Sequence, residues 1–222
     1  MTNQLFAQLS TRFQANANLE YGKKQSAYLR HKFTFFGIRH PQIKAITKDF
    51  IKENDLAQIA DLQPLIKNIF QGEQREFHHA SLVITEHFIK KQSADFIEML
   101  EFLIVTNSWW DTVDHAAKLV GMHFQRYPDL IIPTTERWME SENMWLQRVS
   151  IIFQLRYKEA TDWELLQRYI LAVSDSEEFF LQKAAGWALR QYSRTRADRV
   201  VAFVQSYELP KLTAKEALRL LK

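Results

Sequence analysis

The chain has 222 residues, 46% of them hydrophobic and 25% charged, with a net charge of +3 and a sequence pI near 9.0. It has no cysteine, which excludes disulfides, thiolate metal sites, iron–sulfur clusters and a cysteine nucleophile, and favours a reducing interior. Only 5 Gly and 5 Pro, against 16 Phe, 6 Trp and 7 Tyr, leave little punctuation for a β-rich fold, so long helices are expected.

The first residues, "MTNQLFAQLSTRF", lack the apolar core of a signal peptide. No apolar run approaches the roughly 20 residues of a membrane span, so a cytoplasmic protein with no membrane partner is expected. Further along, "LIKNIFQ" (65–71), "FIEMLEFLIV" (96–105) and "VSIIFQLRY" (149–157) space their apolar residues at helical intervals. Pro41, Pro64, Pro128, Pro133 and Pro210 fall where helices should begin or break. Three capping boxes are expected at Thr161/Glu164, Ser174/Glu177 and Thr213/Glu216, where a hydroxyl and a carboxylate would satisfy the first free amides of a helix. No linker or low-complexity segment interrupts the pattern, which predicts one domain over residues 1–222.

A longer period runs beneath these elements. With Phe77, Val113, Leu146 and Leu181 as anchors, the intervals are 36, 33 and 35 residues. Three positions on stand Ala80, Ala116, Val149 and Ala184; four on, the small residues Ser81, Ala117, Ser150 and Ala185. Seven on stand Ile84, Val120, Phe153 and Ala188; eleven on, the aromatics Phe88, Phe124, Tyr157 and Tyr192. Offsets of 0, 3, 4, 7 and 11 trace one helical face, and the small column would let a neighbouring helix approach closely. The spacing fits HEAT-like helical hairpins stacked as a solenoid, an all-α fold in which each repeat is buried only against its neighbours.

Two positions after each anchor stand His79, His115, Arg148 and Lys183. In a curved solenoid, equivalent positions line one surface, and a basic stripe there suits a polyanion such as a nucleic-acid backbone. A solvated helix edge, where Lys and Arg are common, is the alternative.

No HExxH or similar cluster of His and carboxylates offers a metal site, and GxSxG, Walker and GxGxxG loops are missing. One segment stands out for chemistry, "TNSWWDTVDHAA" (106–117). Trp110 and Asp114 are four apart and share a helical face. Asn107, Ser108 and Asp111 are expected to serve the helix start, and Trp109 to pack. Asp114 is then the candidate for chemistry. Downstream, "EEFFLQKAAGWALRQYS" (177–193) brings Lys183, Trp187 and Arg190 together on one helix; Trp187 suits either the core or the wall of a groove.

"NSWWDTVD" (107–114), "WLQRVSIIFQLRYKEATDWELL" (145–166) and "EEFFLQKAAGWALRQYSRT" (177–195) together resemble the signature segments of the bacterial AlkD-type DNA alkylation repair enzymes, and the likeness runs from Tyr28 to the end of the chain. That family comprises DNA glycosylases built from HEAT-like repeats. The resemblance implies a curved solenoid with a concave DNA-binding groove. It implies Asp114 as catalytic aspartate, with Trp110 and Trp187 as aromatic walls beside the damaged nucleotide. Arg148 would lie near the lesion-flanking phosphate, and Tyr28, in "AYLRHKF", would reach the same region. The implied activity is monofunctional hydrolysis of the N-glycosidic bond of cationic alkylated bases, such as 7-methylguanine and 3-methyladenine, in base excision repair. It would act on duplex DNA, as a monomer, without cofactor or metal and without flipping the base into a pocket. The expected DNA contacts are Arg148, Tyr28, Lys183, Arg190, His115 and His79. A protein at the nucleoid when bound to DNA follows. The competing reading is a non-catalytic helical scaffold that binds DNA structures or a protein partner.

Overall fold

The computed structural model describes residues 1–221, and every regular element among them is helical. A lone parallel bridge, Thr34 to Gln74, is the only β pairing of the described residues. Two compact units divide the chain, residues 1–91 and 92–222. No helix among the described residues is long and apolar enough to cross a membrane.

The first unit contains α1 (Thr2–Ala15), α2 (Leu19–Tyr28), α3 (His40–Glu53), α4 (Gln63–Phe70) and α5 (Arg75–Phe88). Asn18 starts α2 by accepting the Tyr21 amide at 2.9 Å, and Pro41 and Pro64 sit in the first turns of α3 and α4, where a missing N–H costs nothing. The stretch 33–38 is not helical, and its backbone groups are satisfied from two sides. From α2, Ser26 Oγ donates to the Phe33 carbonyl and Gln25 Nε2 to that of Ile38. From α5, the fully buried Glu76 carboxylate accepts the amides of Phe36, Gly37 and Ile38 at 2.9–3.1 Å. Gly37 has a φ of +90°, and a Cβ there would stand 1.9 Å from the Asn18 carbonyl oxygen, so only glycine fits. Beside Glu76, the buried Arg75 donates to His78 Nδ1 at 2.9 Å and lies over the Phe33 ring, 3.8 Å from its centroid.

The second unit contains α6 (Ile97–Val105), α7 (Trp110–Phe124), α8 (Ile131–Glu140), α9 (Met144–Ile152), α10 (Trp163–Ala172), α11 (Phe179–Tyr192), α12 (Ala197–Ser206) and α13 (Lys211–Ala217). The anchor columns behave as the repeat demands. Every residue of the 0, 3, 4 and 7 columns is buried, as are Phe88, Phe124 and Tyr192 of the last. The small column faces the preceding helix: Ser81 Oγ of α5 donates to the Ile66 carbonyl of α4. In the second unit, Ser150 Oγ of α9 lies 3.5 Å from the Thr135 carbonyl of α8. Helix α9 packs between α7 and α11. Tyr157, the last aromatic of the third copy, lies beyond the end of α9 and donates to the Gly121 carbonyl of α7 at 2.7 Å; burial raises its pKa above the ordinary tyrosine value.

Gly121 marks a close approach inside α7. An added Cβ would stand 2.3 Å from the Phe153 carbonyl oxygen, a backbone atom with no freedom to step aside. Alanine is the better helix former by about 1 kcal/mol, but overpacking against backbone costs about 1–3 kcal/mol. Gly121→Ala is therefore expected to destabilise the second unit, measured by chemical denaturation with tryptophan emission. A gain in stability would mean that the contact relaxes.

None of the three expected capping boxes forms. At α10, Asp162 is the cap and accepts the Leu165 amide at 2.9 Å, while the Gln154 side chain brackets its backbone on both sides; the stronger acceptor moves the start one residue past Thr161. Ser174 Oγ instead donates to the Leu171 carbonyl and closes α10, and Ser176 Oγ accepts the Glu178 amide ahead of α11. Thr213 is inside α13 and donates to the Gln182 carbonyl of α11.

Candidate active site on α7, α9 and α11

Helix α7 begins at Trp110, after a turn in which Asn107 takes a left-handed φ of 48°. The cap is Trp109, in extended conformation, and Ser108 Oγ donates back to the Ile104 carbonyl at the end of α6. Ser108 therefore closes α6 rather than capping α7. Asp111 lies in the first turn, as expected, where a carboxylate favours the positive end of the helix. Trp110 and Asp114 occupy the first and fifth positions of α7, on one face, both half-buried.

Asp114 meets Arg148 of α9 in a two-pronged ion pair. Arg148 Nε donates to Oδ1 at 2.8 Å and Nη2 to Oδ2 at 3.0 Å. The third prong, Nη1, donates to the Phe180 carbonyl in the first turn of α11 at 2.6 Å. One guanidinium, its side chain only 5% exposed, thus links α7, α9 and α11. Asp114 keeps 22% of its side chain open to solvent. Burial raises its pKa above the ordinary aspartate value; the charge and hydrogen bonds of Arg148 work the other way, and the nearby Asp111 adds to the rise.

Behind this pair lies a triangle of rings that the sequence reading missed. Trp109 caps α7, Trp145 is in the first turn of α9, and Phe180 is in the first turn of α11. Their centroids are 5.0–5.8 Å apart, in tilted and edge-on arrangements. Aromatic pairs in this range each add about 0.5–1.5 kcal/mol beyond their burial. The triangle therefore holds together the three helix starts that carry Trp110, Asp114, Arg148 and the Phe180 carbonyl. The doubled aromatics at 109–110 and 179–180 were the only sequence signal for it.

The basic column takes a different form from the expected stripe. Arg148 is buried and its prongs are engaged inside the fold. Lys183 and Arg190 of α11 both bind Glu216 of α13, Lys183 at 2.8 Å, with Arg219 at the edge of reach. Lysine and arginine thereby hold the Glu216 pKa below the usual glutamate value. His115 is half-buried on α7, and His79, half-buried on α5, meets the His40 ring edge-on at 5.3 Å. The four positions repeat in the fold, but the two permanent cations among them are neutralised internally. The acids responsible lie 33 and 34 residues away, on other helices, where no local pattern reveals them.

Trp187 is half-buried on α11, seven residues after Phe180 and on the same helical face. Next to it, Gly186 lets α13 lie against α11: a Cβ there would stand 2.6 Å from Glu216 Cβ. Tyr28 belongs to the first unit, at the end of α2, and is 72% exposed. No group of three or more His, Asp or Glu among the described residues is placed to hold a metal ion. The arrangement on α7, α9 and α11 offers one carboxylate, partly open to water, with an aromatic side chain one turn before it on the same face. A carboxylate so placed can stabilise positive charge and orient a water.

The model of the DNA alkylation repair enzyme family matches residues 9–221. A solved structure described as a predicted DNA alkylation repair enzyme from Enterococcus faecalis is 30% identical, with a TM-score of 0.86 over 92% of this chain and 96% of that one. Two structures from Streptococcus mutans, each 16% identical, share the fold. AlkD2 has a TM-score of 0.60 over 89% of this chain and 96% of its own. The protein smu.31, from strain UA159, has a TM-score of 0.58 over 80% and 96%. No curated protein gives a significant match.

Proposed function

Since the chain belongs to the DNA alkylation repair enzyme family, we propose that it hydrolyses the N-glycosidic bond of cationic alkylated purines, 7-methylguanine and 3-methyladenine, in duplex DNA. The observation that carries this reading is Asp114, a half-buried carboxylate fixed by Arg148 one turn after Trp110. Ordinary glycoside cleavage needs two carboxyl groups, one to protonate the leaving group. A base alkylated on a ring nitrogen already carries the positive charge and departs neutral, so one carboxylate is enough. Asp114 stabilises the oxocarbenium sugar as it forms and orients or deprotonates the attacking water. The faces of Trp110 and Trp187 attract the positive charge on sugar and base by roughly 0.5–2 kcal/mol per contact. The damaged nucleotide is captured against these rings rather than flipped into an enclosed pocket. With no nucleophilic lysine in the scheme, the product is an abasic site in an intact strand, the start of base excision repair.

The experiment is the release of free 7-methylguanine from a methylated duplex, at low enzyme concentration, with the strands checked for breaks before alkali. Release well above the spontaneous rate with unbroken strands is the expected result. Duplex binding without release would leave the chain as a non-catalytic scaffold and end the glycosylase reading.

A further inference from the structure

The ring that α11 offers to the proposed site has two permanent cations for neighbours. Lys183 is four residues before Trp187 and Arg190 three after, so both lie beside it on the helix surface. At about 3.6 residues per turn, the sides of α11 follow in a fixed order. Leu181, Ala184 and Ala188 form the buried side; Trp187 comes next, then Lys183 with Arg190, and last Gly186, against α13. Trp187 is half-buried, and among the described residues no other ring and no cation lies over its indole. That bare face is unexpected, since a guanidinium readily settles on an aromatic ring. In the first unit Arg39 does so over Tyr21, at 5.2 Å.

One carboxylate explains it. Glu216 of α13, its side chain only 13% exposed, accepts from Lys183 Nζ at 2.8 Å and from Arg190 Nη1, with Arg219 Nη1 4.0 Å away. It stands on the far side of the two cations from Trp187, because a Cβ on Gly186 would lie 2.6 Å from Glu216 Cβ and 2.9 Å from the Thr213 carbonyl oxygen. Helix α13 is fastened there by Thr213 Oγ1, which donates to the Gln182 carbonyl of α11. Both cations are thereby drawn around α11 toward α13 and away from the indole. Released, each is within reach of the ring, and together they would put two positive charges where a cationic nucleotide has to sit.

We propose that Glu216 is a positioning residue for Trp187: by holding Lys183 and Arg190 on the α13 side of α11, it leaves the indole face open to a positively charged base or sugar. The proposal rests on the reading that the chain excises cationic alkylated bases. It adds the group that keeps the protein's own cations from taking the place of the substrate. Glu216 touches no reacting atom and acts only through the two cations.

The test reads the ring directly and needs no catalysis. Quenching of tryptophan emission is measured with N-methylpyridinium, a cationic aromatic, and with neutral acrylamide. The part due to Trp187 is the difference from the matching Trp187→Phe protein. Glu216→Gln keeps the shape and an acceptor but not the charge. It is expected to lower quenching of Trp187 by the cation about threefold at low salt, as freed charges a few ångströms away in a wet setting should, and to leave acrylamide quenching unchanged. Adding Lys183→Gln and Arg190→Gln to Glu216→Gln is expected to restore quenching by the cation. Lys183→Gln with Arg190→Gln alone, which keeps Glu216, is expected to raise it, and this opposite sign carries the test should Glu216→Gln fold poorly. Unchanged quenching by the cation in either variant would overturn the proposal. So would a triple variant no better than Glu216→Gln, or equal changes with both quenchers, which would mean that α13 had merely shifted. In the excision assay, Glu216→Gln is expected to slow single-turnover release of 7-methylguanine by about 2–30-fold, the rate equivalent of one lost cation–π contact, without loss of affinity for undamaged duplex. An unchanged rate, given release by the wild type, would overturn the proposal as well. No base release by the wild type, with the quenching pattern intact, would sink the glycosylase reading and leave the assignment of Glu216 standing.

Discussion

Asp114→Asn is expected to abolish most of the proposed excision, lowering the single-turnover rate of 7-methylguanine release by about 10²–10⁴-fold, the usual worth of a positioned carboxylate, with affinity for undamaged duplex unchanged. Asparagine is the informative substitution because it keeps the shape and one acceptor for Arg148. Both substitutions remove the counter-charge of the buried guanidinium, but alanine also removes every acceptor and the side-chain volume, which would add folding loss to the loss of chemistry. The pH dependence has a definite sign. Burial raises the folded-state pKa of Asp114 above its unfolded value, which is near 3.9. As a contribution to stability, this group helps below the unfolded value and that help is lost as pH rises through the folded one. The proposed catalysis runs the other way: it needs the carboxylate and should grow over the same interval. The acid limb of the rate profile is therefore expected above the pKa of a free aspartate and absent from Asp114→Asn. An acid limb that persists in the variant would assign it to another group. A rate unchanged by Asp114→Asn would remove this residue from the mechanism.

Glu76→Ala is expected to cost the first unit about 3–5 kcal/mol, a large part of the stability of a unit this size. The carboxylate is fully buried and serves three amides at once, those of Phe36, Gly37 and Ile38, so its loss leaves three donors in a dry place. The measurement has a built-in control. All six tryptophans lie between 109 and 187, in the second unit, so their emission reports that unit alone, whereas far-UV circular dichroism reports both. The variant is expected to lose helical signal at a lower temperature than the wild type while its tryptophan emission holds. Unchanged circular dichroism melting would show that water or another acceptor replaces Glu76.

Much of the fold was legible because burial follows periodicity. Columns spaced at 0, 3, 4 and 7 from Phe77, Val113, Leu146 and Leu181 are buried in the folded chain, and the prolines at 41, 64, 128, 133 and 210 fall at or near helix starts. Helix ends were harder, since Thr161 and Asp162 are adjacent acceptors and only geometry chooses between them. In the site, Trp110 and Asp114 could be paired because they are four apart on one helix. The tie from Arg148 to Asp114, the closure of Glu216 over Lys183 and Arg190, and the ring triangle all join residues about 26–71 apart in sequence. Such contacts depend on how helices stack, which local spacing does not encode. The acceptor on α11 is a backbone carbonyl, and that carries no residue signature at all.

The position shared by His79, His115, Arg148 and Lys183 holds an arginine in only one copy, and the three-way link of its guanidinium gives the reason. A lysine ammonium is a compact point charge that can neutralise Asp114 but cannot hold its two oxygens in one plane while also meeting a carbonyl on a third helix. What that copy demands is flatness and reach. The orientation of the carboxylate is thereby inherited from the stacking of the helices, so that any drift in how α7, α9 and α11 are spaced becomes a rotation of the one group on which the proposed chemistry turns.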